Sequence, residues 1–125
     1  RTLMFLIDSS GWIEFFTNGT LVNVFARYMK DPARIVTPTI VLYEVYKKIK
    51  REKTEEEALA AASIINRTVV IDLSESIALF AADLSIKYSL PMADAIVYAT
   101  ALEKNCKVVT SDTHFKELNK VIFVS

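Results

Sequence analysis

The stretch LMFLIDSSGW, residues 3–12, sets the fold of this sequence. Five apolar residues lead directly into Asp8, and two serines and a glycine follow. A continuous apolar run is typical of a parallel strand that is covered on both faces of its sheet. A buried carboxylate is unfavourable unless solvent, hydrogen-bond donors or a cation compensate it. The remaining residues must therefore supply a partner for Asp8 at the end of this strand.

Apolar runs of the same kind recur along the chain, and they predict five strands. The runs are Leu3 to Ile7, Arg34 to Thr37, Thr68 to Leu73, Lys107 to Thr110 and Val121 to Val124. Helical segments fill the intervals between them. This alternation predicts a three-layer α/β/α sandwich with right-handed crossovers, and 125 residues suffice for a single domain, residues 1–125.

Helix starts are visible as capping residues. Thr20 precedes LVNVFARYMK, Thr37 with Pro38 precedes the next helix, Thr54 with Glu57 forms a capping box, Ser74 precedes ESIALFAADLSIKY, and Pro91 opens MADAIVYATALEKN.

Composition excludes several classes of function. The chain has 15 basic and 15 acidic residues, so no global field attracts a polyanion and any affinity for nucleic acid must be local. The two glycines cannot form a dinucleotide fingerprint or a P-loop, and the single histidine excludes a histidine-rich metal site. The single cysteine, Cys106, and the lack of an apolar span or leader pattern favour a cytoplasmic protein without a membrane segment.

Four acidic residues lie where chemistry is expected. Asp8 and Asp112 follow the first and fourth strands, although aspartate there is also a common helix cap. Glu44 lies on the flank of an amphipathic helix, where an ion pair with Lys48 is the alternative role. Asp94 is the only charge in PMADAIVYATAL, and a place in the first helical turn explains its tolerance but not its occurrence there.

Taken together, these carboxylates predict a cation site. In an open parallel sheet, ligands bind outside the carboxyl ends of the strands, so the four acids can face one edge. Their mutual repulsion requires a cation, and oxygen ligands without cysteine or histidine suit Mg²⁺ or Mn²⁺. Four hydroxyl residues are expected to support the carboxylates or to serve as turn and capping residues: Ser9, Ser10, Thr110 and Ser111.

The chain resembles the PIN-domain ribonucleases, above all the VapC-type toxins of toxin–antitoxin pairs. The matching stretches are FLIDSSGWIEFF, YEVYKK, ADAIVYATALEKNCKVVTSDTHF and VIFV, in the family's order and spacing across nearly all 125 residues. The resemblance implies a sheet of order 3-2-1-4-5 and a Mg²⁺ or Mn²⁺ site that cleaves RNA. Its ligands match Asp8, Glu44, Asp94 and Asp112.

The sequence departs from the family pattern at one position. Many relatives carry a further acid just before the phenylalanine of the last motif, and His114 takes this place. His114 is a candidate to protonate a leaving group or to contact phosphate, or it is simply exposed. Lys47, Lys48 and Arg51 share the side of Glu44 and are candidates for RNA binding, with a solvated helix face as the alternative.

The leading hypothesis is therefore a metal-dependent endoribonuclease, the toxin of a toxin–antitoxin pair. The resemblance also implies an antitoxin protein as partner and a homodimer, for which LVNVFARYMK and EEEALAAASII offer apolar faces, with a place in the core as the alternative for these faces. The alternatives are a PIN nuclease of RNA maturation or quality control, a non-catalytic PIN fold that acts as a binding module, and a receiver-like phosphoacceptor domain. The receiver-like alternative would use Asp72 after the third strand.

Overall fold

A single five-stranded parallel sheet forms the centre of the structure, a computed structural model that describes residues 3–125. The strands are β1 (Phe5–Ile7), β2 (Ile35–Pro38), β3 (Val69–Ile71), β4 (Lys107–Thr110) and β5 (Val121–Phe123). Their order is β3-β2-β1-β4-β5, and every neighbouring pair is parallel. The predicted α/β fold and strand order are confirmed.

Six α-helices connect the strands and flank the sheet. They are α1 (Ser9–Thr17), α2 (Val22–Ala26), α3 (Thr39–Glu52), α4 (Glu55–Ile65), α5 (Glu75–Tyr88) and α6 (Met92–Glu103), with short 3-10 turns at Pro32–Arg34 and Thr113–Phe115. Helix α3 packs against α4, and α5 packs against α6. None of the helices formed by residues 3–125 has the length and apolar character that a membrane span requires.

Two helix starts differ from the prediction. Pro38 still belongs to β2, where it pairs with Ile71, so α3 begins one residue later than the proline pattern predicts. Helix α2 ends at Ala26, far short of the predicted stretch, and Thr20 does not cap it because Leu21 occupies the cap position. The β-branched valines and the asparagine of VNVFA are weak helix formers, and this explains the short helix.

The predicted strands are also too long at several ends. Leu3 and Met4 precede β1, and the strand predicted from Thr68 to Leu73 is reduced to Val69–Ile71. Strand β3 lies at an edge of the sheet and pairs only with β2, so the hydrogen bonds of one neighbour alone define it. Of the expected helix caps, Thr54 and Ser74 accept hydrogen bonds from the backbone N–H groups of Glu57 and Ile77.

Close packing positions the elements that carry the predicted site. Seven consecutive residues of α6, from Ala95 to Ala101, are buried, so this helix is covered on most sides and Asp94 lies just before the buried part. Gly11 allows α1 to lie close to β1. A Cβ atom there would stand 2.6 Å from Ile7 and 2.7 Å from the ring of Phe25. The first strand and the two helices therefore hold the site's backbone on a rigid frame.

Candidate metal centre

The carboxyl ends of β1 and β4 lie side by side, and they place Asp8 next to Thr110. Ile7 pairs with Val109, and the backbone N–H of Asp8 donates a 3.3 Å hydrogen bond to the Val109 carbonyl. The Asp8 carboxylate also caps α1, because the N–H of Gly11 donates to Oδ1 at 3.2 Å. Asp8 therefore caps α1 and also belongs to the acidic edge, defined as the end of the sheet that carries Asp8, Glu44, Asp94 and Asp112.

Two hydroxyl groups hold the carboxylate of Asp8 in a fixed orientation. Ser10 Oγ donates to Oδ1 at 2.6 Å, and Thr110 Oγ1 donates to Oδ2 at 2.6 Å. Each hydroxyl in turn accepts a backbone N–H from the loop after β4: Ser111 donates to Ser10 at 3.2 Å, and Asp112 donates to Thr110 at 2.9 Å. This double link fixes the loop that carries Asp112 relative to Asp8.

Burial of Asp8 destabilises the ionised form of its carboxyl group. The residue is 4% exposed, and burial raises the pKa of its carboxyl from 3.8 to about 6, although the hydrogen bonds from Ser10, Thr110 and Gly11 act in the opposite direction. The nearby charge of Asp112 adds to the rise. The hydrogen bonds to Asp8 therefore stabilise its ionised form by less than burial destabilises it.

Asp94 and Asp112 form the second part of the acidic edge. Asp94 lies in the first turn of α6, and Asp112 caps the 3-10 turn after β4. Burial and then the charge of Asp112 raise the pKa of Asp94 to about 7. Mutual repulsion between neighbouring carboxylates raises their pKa values, and a cation bound between them would relieve this repulsion.

His114 joins these two acids. Its Nδ1 lies 3.0 Å from Asp94 Oδ2 and 3.0 Å from Asp112 Oδ1. Within residues 3–125, these are the three residues whose metal-ligating atoms all lie within 4.8 Å of one another. Sequence reasoning considered His114 for phosphate contact and missed this contact. The available signal was its spacing, two residues after Asp112 in a turn that Asp112 caps.

Glu44 stands at the rim of the same edge and does not form the predicted ion pair with Lys48. Lys48 instead contacts Glu52 at 2.8 Å. Burial raises the pKa of Glu44, a hydrogen bond with the Ser9 side chain opposes the rise, and the charge of Asp112 adds to it. Asp112 thus acts electrostatically on all three other acids.

The predicted basic residues surround Glu44. A surface pocket of about 280 Å³ is lined by Ser9, Ile13, Tyr43, Glu44, Lys47, Lys48 and Arg51. Lys47 lies over the Tyr43 ring, and Arg51 lies 3.6 Å from Glu52, so these cations remain at the surface. The structure therefore places a positively charged, open surface beside the acidic edge.

A divalent cation fits the residues that are present. Within residues 3–125, neither lysine nor arginine forms an ion pair with Asp8, Glu44, Asp94 or Asp112, and the imidazole of His114 is the one basic side chain within 4.0 Å of any of them. Hard oxygen donors of this kind are the ligands preferred by Mg²⁺ and Mn²⁺. Among the described residues, Asp94, Asp112 and His114 come close enough together to hold one ion, and Asp8 and Glu44 lie outside this group.

The receiver-like alternative does not fit the sheet. Strand β3 lies at the edge of the sheet, separated from β1 by β2, so Asp72, which follows β3, is remote from the acids after β1 and β4. A phosphoacceptor site needs these groups together, and we reject that interpretation.

Comparison with known proteins is consistent with this geometry. A sequence model described as the PIN domain matches residues 5–121. Among curated protein sequences, the chain has no significant match.

Several solved structures resemble the whole chain. A toxin–antitoxin complex from Klebsiella pneumoniae is 24% identical, with a TM-score of 0.79 and 94% of each chain covered. VapC20 of Mycobacterium tuberculosis, described as a sarcin–ricin loop cleaving toxin, is 20% identical, with a TM-score of 0.78 and coverage of 97% of this chain and 99% of that one. DNA-bound VapBC from Salmonella typhimurium is 19% identical, with a TM-score of 0.78 and coverage of 98% and 97%.

Proposed function

The chain belongs to the PIN-domain family, and on that premise we propose that it is a metal-dependent endoribonuclease, the toxin of a toxin–antitoxin pair. The observation that carries the proposal is the acidic edge at the ends of β1 and β4. There Asp8 is buried and the pKa values of Asp8 and Asp94 are raised to about 6 and about 7. A bound cation would favour the ionised form of both carboxylates, since an opposite charge lowers the pKa of an acid.

We propose that Asp8, Glu44, Asp94 and Asp112 are the catalytic carboxylates and hold Mg²⁺ or Mn²⁺. When bound, the cation would activate water as a nucleophile and neutralise charge on the phosphodiester. The chain's own residues orient the acids: Ser10 and Thr110 fix both oxygens of Asp8, and the Ser9 side chain hydrogen-bonds to Glu44. Ser111 acts through its backbone N–H on Ser10.

RNA is the proposed substrate, held beside the acids by the basic surface. Lys47, Lys48 and Arg51 line the pocket next to Glu44, and exposed cations of this kind bind the phosphate backbone without reading its sequence. The neutral overall charge of the chain makes such a local surface necessary for binding nucleic acid. We propose that the scissile phosphate lies at the acids while the flanking backbone crosses α3.

The toxin assignment is supported by the structural neighbours. The similar structures include a toxin–antitoxin complex, a toxin described as cleaving the sarcin–ricin loop, and VapBC bound to DNA. This favours a toxin over a PIN nuclease of RNA maturation, and the four acids argue against a non-catalytic binding module. We therefore propose an antitoxin protein as partner. A neighbouring reading frame for a small DNA-binding protein is the simplest test.

A homodimer is also proposed, with a contact surface that differs from the sequence-based expectation. The apolar side chains of α2 and α4 are divided between core and surface: Phe25, Ala58, Ala61 and Ile65 are buried, whereas Leu59 is 53% exposed and Ile64 is 37% exposed. In contrast, Leu79, Ile86 and Met92 on α5 and α6 are 62%, 84% and 74% exposed.

The same surface contains a groove of about 340 Å³ lined by Ala78, Ala82 and Ser85, among others. A twofold contact uses the same patch on both subunits, and a surface that carries both exposed apolar side chains and a groove can be complementary to itself. We therefore place the proposed dimer contact on α5 and α6.

The decisive experiment is RNA cleavage with analysis of the product ends. Purified protein is incubated with structured and unstructured RNAs, with Mn²⁺ or with EDTA. Hydrolysis by water should leave 5′-phosphate and 3′-hydroxyl ends, whereas attack by the 2′-hydroxyl leaves a cyclic phosphate and usually needs an acid and base pair. Asp8→Asn should abolish cleavage, and Asp72→Asn, an exposed acid outside the site, should retain it. Cyclic-phosphate ends, or full activity in EDTA, would refute the mechanism.

A further inference from the structure

His114 offers a nitrogen atom to the acidic edge at a position where its neighbours are carboxylate oxygens. Nδ1 lies 3.0 Å from one oxygen of Asp94 and 3.0 Å from one oxygen of Asp112. We propose that Nδ1 of His114 binds the same divalent cation as Asp94 and Asp112, and that this nitrogen makes the site prefer Mn²⁺ to Mg²⁺. The proposal rests on the proposed function, which supplies the cation.

The ring is held in place by the turn that carries it. The backbone N–H of His114 donates to Asp112 Oδ1 at 2.9 Å, and the next residue, Phe115, is fully buried. The backbone on either side of the imidazole is therefore fixed, one side by a proposed metal ligand and the other by the core. The turn therefore holds the backbone of His114 beside the acids, and the ring reaches them through its 3.0 Å contacts with Asp94 and Asp112.

The distances from Nδ1 to the two carboxylate oxygens match those between neighbouring metal ligands. In octahedral coordination with bonds of about 2.1 Å, two adjacent ligand atoms are separated by about 3 Å. Both distances from Nδ1 to the carboxylate oxygens have this value. A neutral imidazole that carries its proton on Nε2 presents Nδ1 as a donor atom, and the His114 side chain is 55% exposed.

A nitrogen donor changes which cation binds best. Mg²⁺ takes oxygen ligands almost exclusively, whereas imidazole suits transition metals. Histidine in place of a carboxylate also removes one negative charge from the ligand set, which lowers the affinity for either divalent cation, so the preference for Mn²⁺ comes from the nitrogen donor. His114→Asp restores an acid at this position, so it is the matched control for the effect of the nitrogen.

The test is a spectroscopic one, and the single histidine of the sequence makes it unambiguous. Mn²⁺ is added to the wild-type protein, and electron spin echo envelope modulation is recorded. We expect an imidazole ¹⁴N signal that changes to the ¹⁵N pattern when only histidine is labelled with ¹⁵N, and that is absent in His114→Ala and His114→Asp. Circular dichroism verifies that both variants fold.

Calorimetric titration with Mn²⁺ and with Mg²⁺ gives the second readout. We expect the ratio of Mn²⁺ to Mg²⁺ affinity to fall at least tenfold from wild type to His114→Asp. Stoichiometric Mn²⁺ binding to the wild type without a histidine signal, or an unchanged affinity ratio, overturns the role of His114 and leaves the nuclease proposal standing. Absence of Mn²⁺ binding to the wild type overturns both. Because the readouts are binding and spectroscopy, loss of RNA cleavage for other reasons does not affect them.

Discussion

Replacing Asp8 by asparagine should stabilise the metal-free protein at neutral pH while it abolishes the proposed activity. The pKa of Asp8 is raised from 3.8 to about 6, so the folded state binds a proton more tightly than the unfolded state. The free energy of unfolding therefore falls as the pH rises from about 4 to about 6, and it stays low above that range. At about 1.4 kcal/mol for each pKa unit, the ionised carboxylate costs the folded state about 3 kcal/mol at pH 7.5.

The asparagine side chain keeps the acceptor for Ser10 and Gly11 and carries no charge. Its effect is measured by urea denaturation in EDTA at pH 7.5 and at pH 4.5. The quantity compared is the free energy of unfolding of Asp8→Asn minus that of the wild type. We expect this quantity to be about 2 kcal/mol larger at pH 7.5 than at pH 4.5. Asp72→Asn is the matched control and should show no such difference. If the free energies of unfolding of Asp8→Asn and wild type differ by the same amount at both pH values, burial does not govern the ionisation of Asp8.

Three further variants test the packing and the assembly. Thr110→Val removes the hydroxyl that donates to Asp8, and it should lower the free energy of unfolding by about 1 to 3 kcal/mol in urea denaturation; an unchanged value would contradict the importance of this bond. Gly11→Ala places a methyl group in a filled space and should cost about 1 to 3 kcal/mol despite the higher helix propensity of alanine, with the melting temperature in calorimetry as the measure. Ile86→Glu should convert the proposed dimer into a monomer by light scattering, whereas Leu59→Glu, an exposed leucine of α4, should leave it intact; a wild-type monomer at high micromolar concentration would refute the dimer.

The fold was accessible from the sequence because its signals are local and redundant. Each strand is a continuous apolar run, and capping residues such as Ser74 precede helices. The ends of the strands and helices depend on neighbouring residues in the folded structure, which the local sequence pattern does not reveal. Pro38 belongs to β2 because Ile71 lies beside it, and the end of β3 depends on its position at the edge of the sheet.

The site was accessible only in part. That Asp8 and Asp112 lie at one edge follows from parallel strands, and it requires no side-chain detail. Contacts between side chains require the tertiary structure. Lys48 was expected to pair with Glu44 at helical spacing, but Glu52 is equally spaced on the other side and takes the lysine. In the same way, no periodicity indicates that His114 reaches Asp94 across the gap between α6 and the turn after β4.

The hydrogen bond between Thr110 and Asp8 joins residues that are 102 positions apart in the chain. A ribosome makes the chain from its N-terminal side, so Asp8, Glu44 and Asp94 all emerge before the strand that completes the edge of the sheet beside β1. Until β4 has been synthesised and paired, Asp8 has no Thr110 to orient it and Asp112 does not exist. If the protein cleaves RNA, the nascent chain therefore lacks the complete site until β4 and the turn after it have been synthesised and have folded. The delay is a consequence of strand order and needs no inhibitor.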